Sequence, residues 1–291
     1  MSVIVDEAIL PNPTFKSAWD TIKTDSAQKE RLIAQSLLAL TLRRSFTFEQ
    51  MPIHGLIVLS GEPGTGKTTL ARGLAHKISE ALTGHSVNFM QVDAHAMTSA
   101  SLGKSQKEVT KLFTQTIPER ANGKALIVLL DEVETLAADR QRMSLEANPV
   151  DVHRATDAAL AGADHVARHA PNALLIATTN YPDAVDRAFL SRADLIETMG
   201  PPTAEARKAI IQETLDLFGS KWSGIDRLKS HISRFASEAE GLDGRALRKA
   251  LIAAAASTPT TAMNPGKMTA EQVSHAIKRA HAGRQAKKVA A

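Results

Sequence analysis

Gly61-Glu62-Pro63-Gly64-Thr65-Gly66-Lys67-Thr68 is the stretch whose reading decides the fold. Its spacing of Gly, four residues, Gly, Lys and Thr turns successive backbone N–H groups onto one anion, and glycine allows the tight turns this needs. Lys67 is then placed to reach the β- and γ-phosphates of a nucleotide, and Thr68 to offer its hydroxyl to magnesium. The flanks agree with this reading. Leu56-Ile57-Val58-Leu59 enters as an apolar strand, and Thr69-Leu70-Ala71-Arg72-Gly73-Leu74-Ala75 leaves as a helix whose N-terminus adds partial positive charge. Residues 61 to 69 are therefore the expected nucleotide cradle.

Working outward, three further apolar runs read as strands: Val87 to Asp93, Ala125 to Leu130 and Ala173 to Thr178. The run Ala125-Leu126-Ile127-Val128-Leu129-Leu130 is continuous, which implies burial on both faces of a parallel sheet. It ends in Asp131-Glu132. Ligands of open parallel sheets bind beyond the carboxyl ends of the strands, so Asp131 is expected beside the phosphate loop as a magnesium ligand, direct or through water. Glu132 is expected to polarise the attacking water, and Asn180, closing the fourth strand, to hold that water or read the γ-phosphate. Between the strands, helical patterns cover Gln106 to Arg120 and Pro149 to Ala167. The alternation predicts a doubly wound α/β domain over residues 19–200.

Before this domain, residues 1–18 read as a leader, with an extended stretch punctuated by Pro11 and Pro13. A helix follows over Ser26 to Arg44, its apolar stripe being Leu32, Ile33, Leu37, Leu38 and Leu42. After Gly200-Pro201-Pro202 only helical patterns remain, giving a small helical lid domain over residues 201–291: Thr203 to Phe218, about Ile225 to Glu240, Asp243 to Ala256 and Thr269 to Ala282. Asp243 is a good N-cap and places Arg245 in the first turn.

Composition bounds the function. A 291-residue chain with 43% hydrophobic residues can bury a substantial core, and its net charge of +4 is too small to point to nucleic acid. The absence of cysteine excludes disulfides and thiolate metal sites and suits a reducing cytoplasm, the expected location. No apolar run approaches the roughly 18 residues of a membrane span. His165 and His169 have a spacing that can bind zinc, but with no third ligand in a recognisable pattern they read as surface residues.

Taken together, Gly61 to Thr68, Asp131-Glu132, Asn180, an arginine after the fourth strand, and Gly244-Arg245 opening a lid helix resemble an AAA+ ATPase. A narrower resemblance, to the pachytene checkpoint or thyroid-receptor-interactor ATPases, rests on several stretches. These are Trp19-Asp20-Thr21-Ile22, Asp131-Glu132-Val133-Glu134, Asn148-Pro149-Val150-Asp151-Val152-His153-Arg154, Ala188-Phe189-Leu190-Ser191-Arg192-Ala193-Asp194, Gly200-Pro201-Pro202 and Gly241-Leu242-Asp243-Gly244-Arg245-Ala246-Leu247-Arg248-Lys249. It implies a homo-oligomer, a hexameric ring, that uses ATP and Mg2+ to remodel HORMA-domain proteins. In bacteria such ATPases accompany nucleotidyltransferase anti-phage systems, which they restrain.

The resemblance also implies that Arg192 is a finger reaching the neighbouring subunit's γ-phosphate, with Arg187 as its rival, and that Arg245 reads the nucleotide in its own subunit. Two departures accompany it. Fewer than about 20 residues precede the lead-in where relatives carry a recruiting domain, so client recruitment is expected to differ. At the pore-loop position Ser101 stands, with Leu102, where an aromatic and an aliphatic residue are usual, which predicts a weaker or shorter pull. Two other classes share this core: a nucleic-acid motor or loader, expected to carry a dedicated basic domain, and a nucleotide-gated switch without turnover, against which the intact Asp131, Glu132, Asn180 and Arg192 argue.

Overall fold

The computed structural model describes residues 3–82, 86–98, 104–139 and 149–289. The pore-loop positions Ser101 and Leu102 lie outside them. Two compact units are distinguished. One holds the N-terminal stretch to Ile22, Ser26–Glu62 and Lys67–Met199, and the other Lys23–Asp25, Pro63–Gly66 and the chain from Gly200.

The first unit is an α/β layer structure. Its strands are β1 (Ile4–Leu10), β2 (Leu56–Ser60), β3 (Val87–Asp93), β4 (Ala125–Asp131), β5 (Ala173–Thr179) and β6 (Leu195–Thr198), in the spatial order β1-β3-β4-β5-β2-β6. The sequence reading found four of these. The outer two escape it for the same reason: edge strands bury only part of their surface, so β6, Leu195-Ile196-Glu197-Thr198, buries its glutamate and leaves Ile196 exposed, and β1 carries Asp6 and Glu7, and neither reads as an apolar run. Residues 4–10, read as part of a leader, are an antiparallel edge strand, pairing Leu10 with Val87 and Ala8 with Phe89. All other pairings are parallel.

Helices cover both faces: α1 (Pro13–Thr21), α2 (Ser26–Ser45), α3 (Lys67–Ala81), α4 (Ala94–Thr98), α5 (Lys104–Lys111), α6 (Ile117–Arg120), α7 (Pro149–His169) and α8 (Arg187–Leu190). Between α5 and α6 the chain widens into a π-turn over Leu112–Thr116, where the N–H of Ile117 bonds to the carbonyl of Leu112. Pro118 explains the irregularity: it has no N–H to return, and its ring crowds the carbonyl four residues back. One core cluster packs Phe113, Val128, Leu175 and Phe189 against one face of the sheet; the other packs Trp19, Leu59, Leu74 and Ile127 against the opposite face. Each of the fully buried aliphatic and phenylalanine side chains among these contributes about 1.5–3 kcal/mol.

Helix α2 buries Leu32, Ser36, Ala39, Leu40 and Arg43, whereas Leu38 of the expected stripe is 49% exposed. The inward face is rotated because Arg43 is buried. Its guanidinium donates to the carbonyls of Val166 (2.8 Å), Ala170 (2.9 Å) and Ala173, joining the end of α7 to the start of β5. Burial lowers the Arg43 pKa to about 10, partly offset by Asp194. A helical stripe read from apolar residues alone cannot anticipate a buried cation.

The second unit is helical: α9 (Ala204–Gly219), α10 (Asp226–Lys229), α11 (Ile232–Glu238), α12 (Gly244–Ala255), α13 (Pro259–Met263) and α14 (Ala270–Val289). The single helix expected over 225–240 is two. Its core gathers Ile211, Leu215, Phe235, Leu247, Leu251, Val273 and Ile277. Buried Arg207 donates to the carbonyls of Ala236 (2.7 Å) and Pro202 (2.9 Å), which fixes the chain where the unit begins.

Candidate nucleotide-binding site

The site is built at the carboxyl edge of the parallel strands. β2 is buried along its whole length between β5 and β6 and delivers Gly61. Gly61, Gly64 and Gly66 have φ of +144°, +91° and +93°, values that side chains rarely adopt. At Gly61 a Cβ would also meet the carbonyl oxygen of Met199 at 2.2 Å. Lys67 opens α3, is 6% exposed, and donates from Nζ to the carbonyls of Gly61 (2.7 Å) and Glu62 (3.1 Å). Its ammonium is thus held inside its own loop, where it can meet a phosphate oxygen. Thr69 follows in the first turn of α3.

Asp131 ends β4 and Thr179 ends β5, and their polar groups lie at the same edge. Thr68 Oγ1 donates to Asp131 Oδ1 at 2.8 Å, Thr178 Oγ1 donates to the same oxygen at 2.5 Å, and Gln91 Nε2 lies 3.4 Å from Oδ2. A carboxylate and a hydroxyl 2.8 Å apart form an all-oxygen pair of the kind a hard cation takes together with substrate phosphates.

Glu132 adopts φ 56° and ψ 54°, the one left-handed non-glycine residue described. Such a conformation costs about 1–3 kcal/mol and persists where the surroundings fix it. Here they do: the Glu132 N–H donates to Thr178 Oγ1 (3.1 Å), Asn180 Nδ2 donates to Glu132 Oε1 (3.1 Å), and His95 Nε2 lies 2.7 Å from Glu132 Oε2. The Asn180 N–H donates to Glu134 Oε1 at 3.1 Å, so the turn after β5 is tied to the turn after β4. The structure therefore brings Glu132 and Asn180 together, as their place at two strand ends leads one to expect.

The sequence reading assigns no role to Thr178 or His95, and names Glu134 only within the Asp131-Glu132-Val133-Glu134 stretch of the resemblance. Thr178 carries a readable signal, a hydroxyl at the carboxyl end of an apolar run and two residues before Asn180. His95 carries none, because its partner Glu132 lies 37 residues further along the chain.

The two candidate fingers differ sharply. Arg192 makes a bidentate pair with Asp164 of α7, Nε to Oδ1 and Nη2 to Oδ2, both 2.8 Å, and Nη1 donates to the Ala188 carbonyl at 2.6 Å. The pair holds the Asp164 carboxyl below its ordinary range and raises the Arg192 guanidinium above its own. Arg187 opens the short α8 and is exposed. Arg245 lies in the first turn of α12, N-capped by Asp243, and is exposed. His165 and His169 stack on each other with centroids 4.2 Å apart.

A family model described as "ATPase family associated with various cellular activities (AAA)" matches residues 57–201. Pseudomonas aeruginosa CD-NTase-associated protein 6 is 45% identical over 93% of this chain and 90% of its own length. The Xenopus tropicalis pachytene checkpoint protein 2 homolog is 30% identical over 85% of this chain; the chain spans 63% of that relative's length. In fold, the chain resembles one in the solved E. coli MS115-1 HORMA:CdnC:Trip13 complex, with a TM-score of 0.78, 17% identity, and coverage of 95% of both chains. The phosphate loop, the two strand-end turns facing it and these likenesses agree: the chain is a nucleotide-binding member of the AAA ATPase family, in the branch that contains CD-NTase-associated protein 6 and the pachytene checkpoint proteins.

Proposed function

We propose that this protein hydrolyses ATP to ADP and phosphate and uses the reaction to remodel or disassemble complexes of a HORMA-domain protein, restraining a cyclic-oligonucleotide anti-phage signalling system in the cytoplasm. The observation that carries the hydrolytic reading is the carboxylate of Glu132, held at Oε1 by Asn180 beside an Asp131 that engages Thr68 of the phosphate loop. Gly61 to Thr69 cradle the phosphates, and Lys67 neutralises charge at the β- and γ-positions. Thr68 and Asp131 hold magnesium, which supplies further neutralisation of the triphosphate when bound. Glu132 accepts a proton from the attacking water, Asn180 orients that water, and Arg245 reads the nucleotide.

Arg192 acts on a neighbour. β6 runs parallel to β2, pairing Leu195 with Ile57, and the Asp194 N–H donates to the Leu56 carbonyl. Arg192 is therefore at the amino edge of the sheet, while its own phosphate loop is at the carboxyl edge, roughly 15 Å away at about 3.3 Å per residue. A guanidinium so placed serves the nucleotide of another copy, which makes a homo-oligomer, a hexameric ring, a condition for turnover. The client is supported by the 45% likeness to a CD-NTase-associated protein and by the composition of the complex named for the structural neighbour.

The test is Glu132→Gln: ATP binds, turnover falls by about 10²–10⁴, and the assembled ring retains a HORMA-domain client on a sizing column. Wild-type turnover by that variant would overturn the assignment.

A further inference from the structure

We propose that Asp164, itself braced by His54, is the positioning residue of Arg192: it fixes the guanidinium side-on so that the free donors of both terminal nitrogens face a neighbouring copy's phosphate. This rests on the reading of Arg192 as a finger acting between copies.

A guanidinium carries five N–H groups in a rigid plane. Asp164 takes the Nε–H and one N–H of Nη2, and the Ala188 carbonyl takes one N–H of Nη1. One N–H remains on each terminal nitrogen, the pair that grips a phosphate bidentately. The finger thus has no need to leave Asp164 in order to act.

Asp164 has its own support. His54 Nε2 lies 3.1 Å from Asp164 Oδ1, the oxygen that also accepts from Arg192 Nε. The His54 ring is packed edge-on against Phe48, with centroids 5.0 Å apart at 81°. Its backbone is equally fixed: the N–H groups of His54, Gly55 and Leu56 donate to the Asp194 carboxylate at 3.1, 2.6 and 3.0 Å. Arg192 and Asp194 therefore grip the same corner from two sides, Arg192 through Asp164 and His54, and Asp194 through the backbone entering β2. The Arg192 side chain is 22% exposed and that of Asp164 30%, so the pair is sheltered yet partly reachable from outside.

The experiment uses the 291-residue chain. Asp164→Asn keeps the side-chain shape and removes the charge that orients the guanidinium. It should lower kcat about 10–100-fold, the usual cost of losing a supporting partner, with KM for ATP unchanged because the ATP contacts belong to a different copy's loop. Mixed with Lys67→Ala subunits, Asp164→Asn subunits should regain turnover, since the Lys67→Ala neighbour supplies a properly oriented finger. Arg192→Ala/Asp164→Asn should be no slower than Arg192→Ala. His54→Gln, which leaves the Arg192–Asp164 pair in place, should lose less and be rescued in the same way.

Full activity of Asp164→Asn would overturn the proposal. So would an Asp164→Asn defect that Lys67→Ala subunits do not repair although they repair Arg192→Ala. If Arg192→Ala itself is not repaired, the finger reading underneath has failed instead.

Discussion

The two edges of the same sheet are built by different rules. At the carboxyl edge, Gly61 to Thr68, Asp131-Glu132 and Asn180 come from three short segments, each at the end of a fully buried strand, and they meet one another directly. At the amino edge, Arg43, His54, Asp164, Arg192 and Asp194 come from α2, the entry to β2, α7 and the turn before β6. Their chemistry is spent on backbone carbonyls, backbone N–H groups and each other. The first edge assembles groups for a ligand; the second assembles groups for the protein, and leaves one guanidinium partly uncovered. The contrast teaches that a side chain can sit within a structural network and still keep donors unspent, as Arg192 does after its bonds to Asp164 and Ala188.

Substitutions can break or sharpen this comparison. The largest effect belongs to the ligand edge: Lys67→Ala should abolish binding of a fluorescent ATP analogue and reduce phosphate release by about 10³-fold or more, while melting temperature stays near wild type. Next is Arg192→Lys, which keeps the charge but loses the planar fork; turnover should fall by about 10³, with nucleotide affinity unchanged, since that affinity belongs to the other edge.

Arg43→Leu should do the reverse. It strips the donors from the Val166, Ala170 and Ala173 carbonyls and should cost about 3 kcal/mol in denaturant unfolding, with nucleotide affinity per folded molecule retained. Thr178→Val removes the hydroxyl shared by Asp131 and Glu132, and a tenfold loss of kcat, about 1.4 kcal/mol, is expected with little loss of stability.

The smallest effect is on pH. Arg192 holds the Asp164 carboxyl below its ordinary value of 3.8, so the stability from this pair is present above that value and is lost as pH falls through the lower, folded value. Acid titration of melting temperature should therefore show a shallower fall for Asp164→Asn than for wild type below about pH 4.

Legibility in the sequence followed the same division. The phosphate loop is contiguous, so its spacing alone carried the chemistry, and Asp131, Glu132 and Asn180 were readable because a buried apolar run fixes where a strand ends. The positive φ of Glu132 was not readable, because glutamate carries no signal for that conformation. β1 and β6 were missed because partial burial blurs alternation, and the inward turn of Arg43 because a cation does not count toward an apolar stripe. Asp164 and His54 were beyond reach for another reason: they lie 28 and 138 residues from Arg192, and nothing local marks either one.

The central claim is that the two edges are halves of one catalytic site belonging to different copies, and the most direct measurement is phosphate release by an equal mixture of Lys67→Ala and Arg192→Ala chains, each inactive alone. Random co-assembly places an intact loop against an intact finger at about a quarter of the interfaces, and the account predicts turnover near that fraction of wild type. A mixture as inactive as its parents, although sizing shows that the two chains have co-assembled, would contradict it.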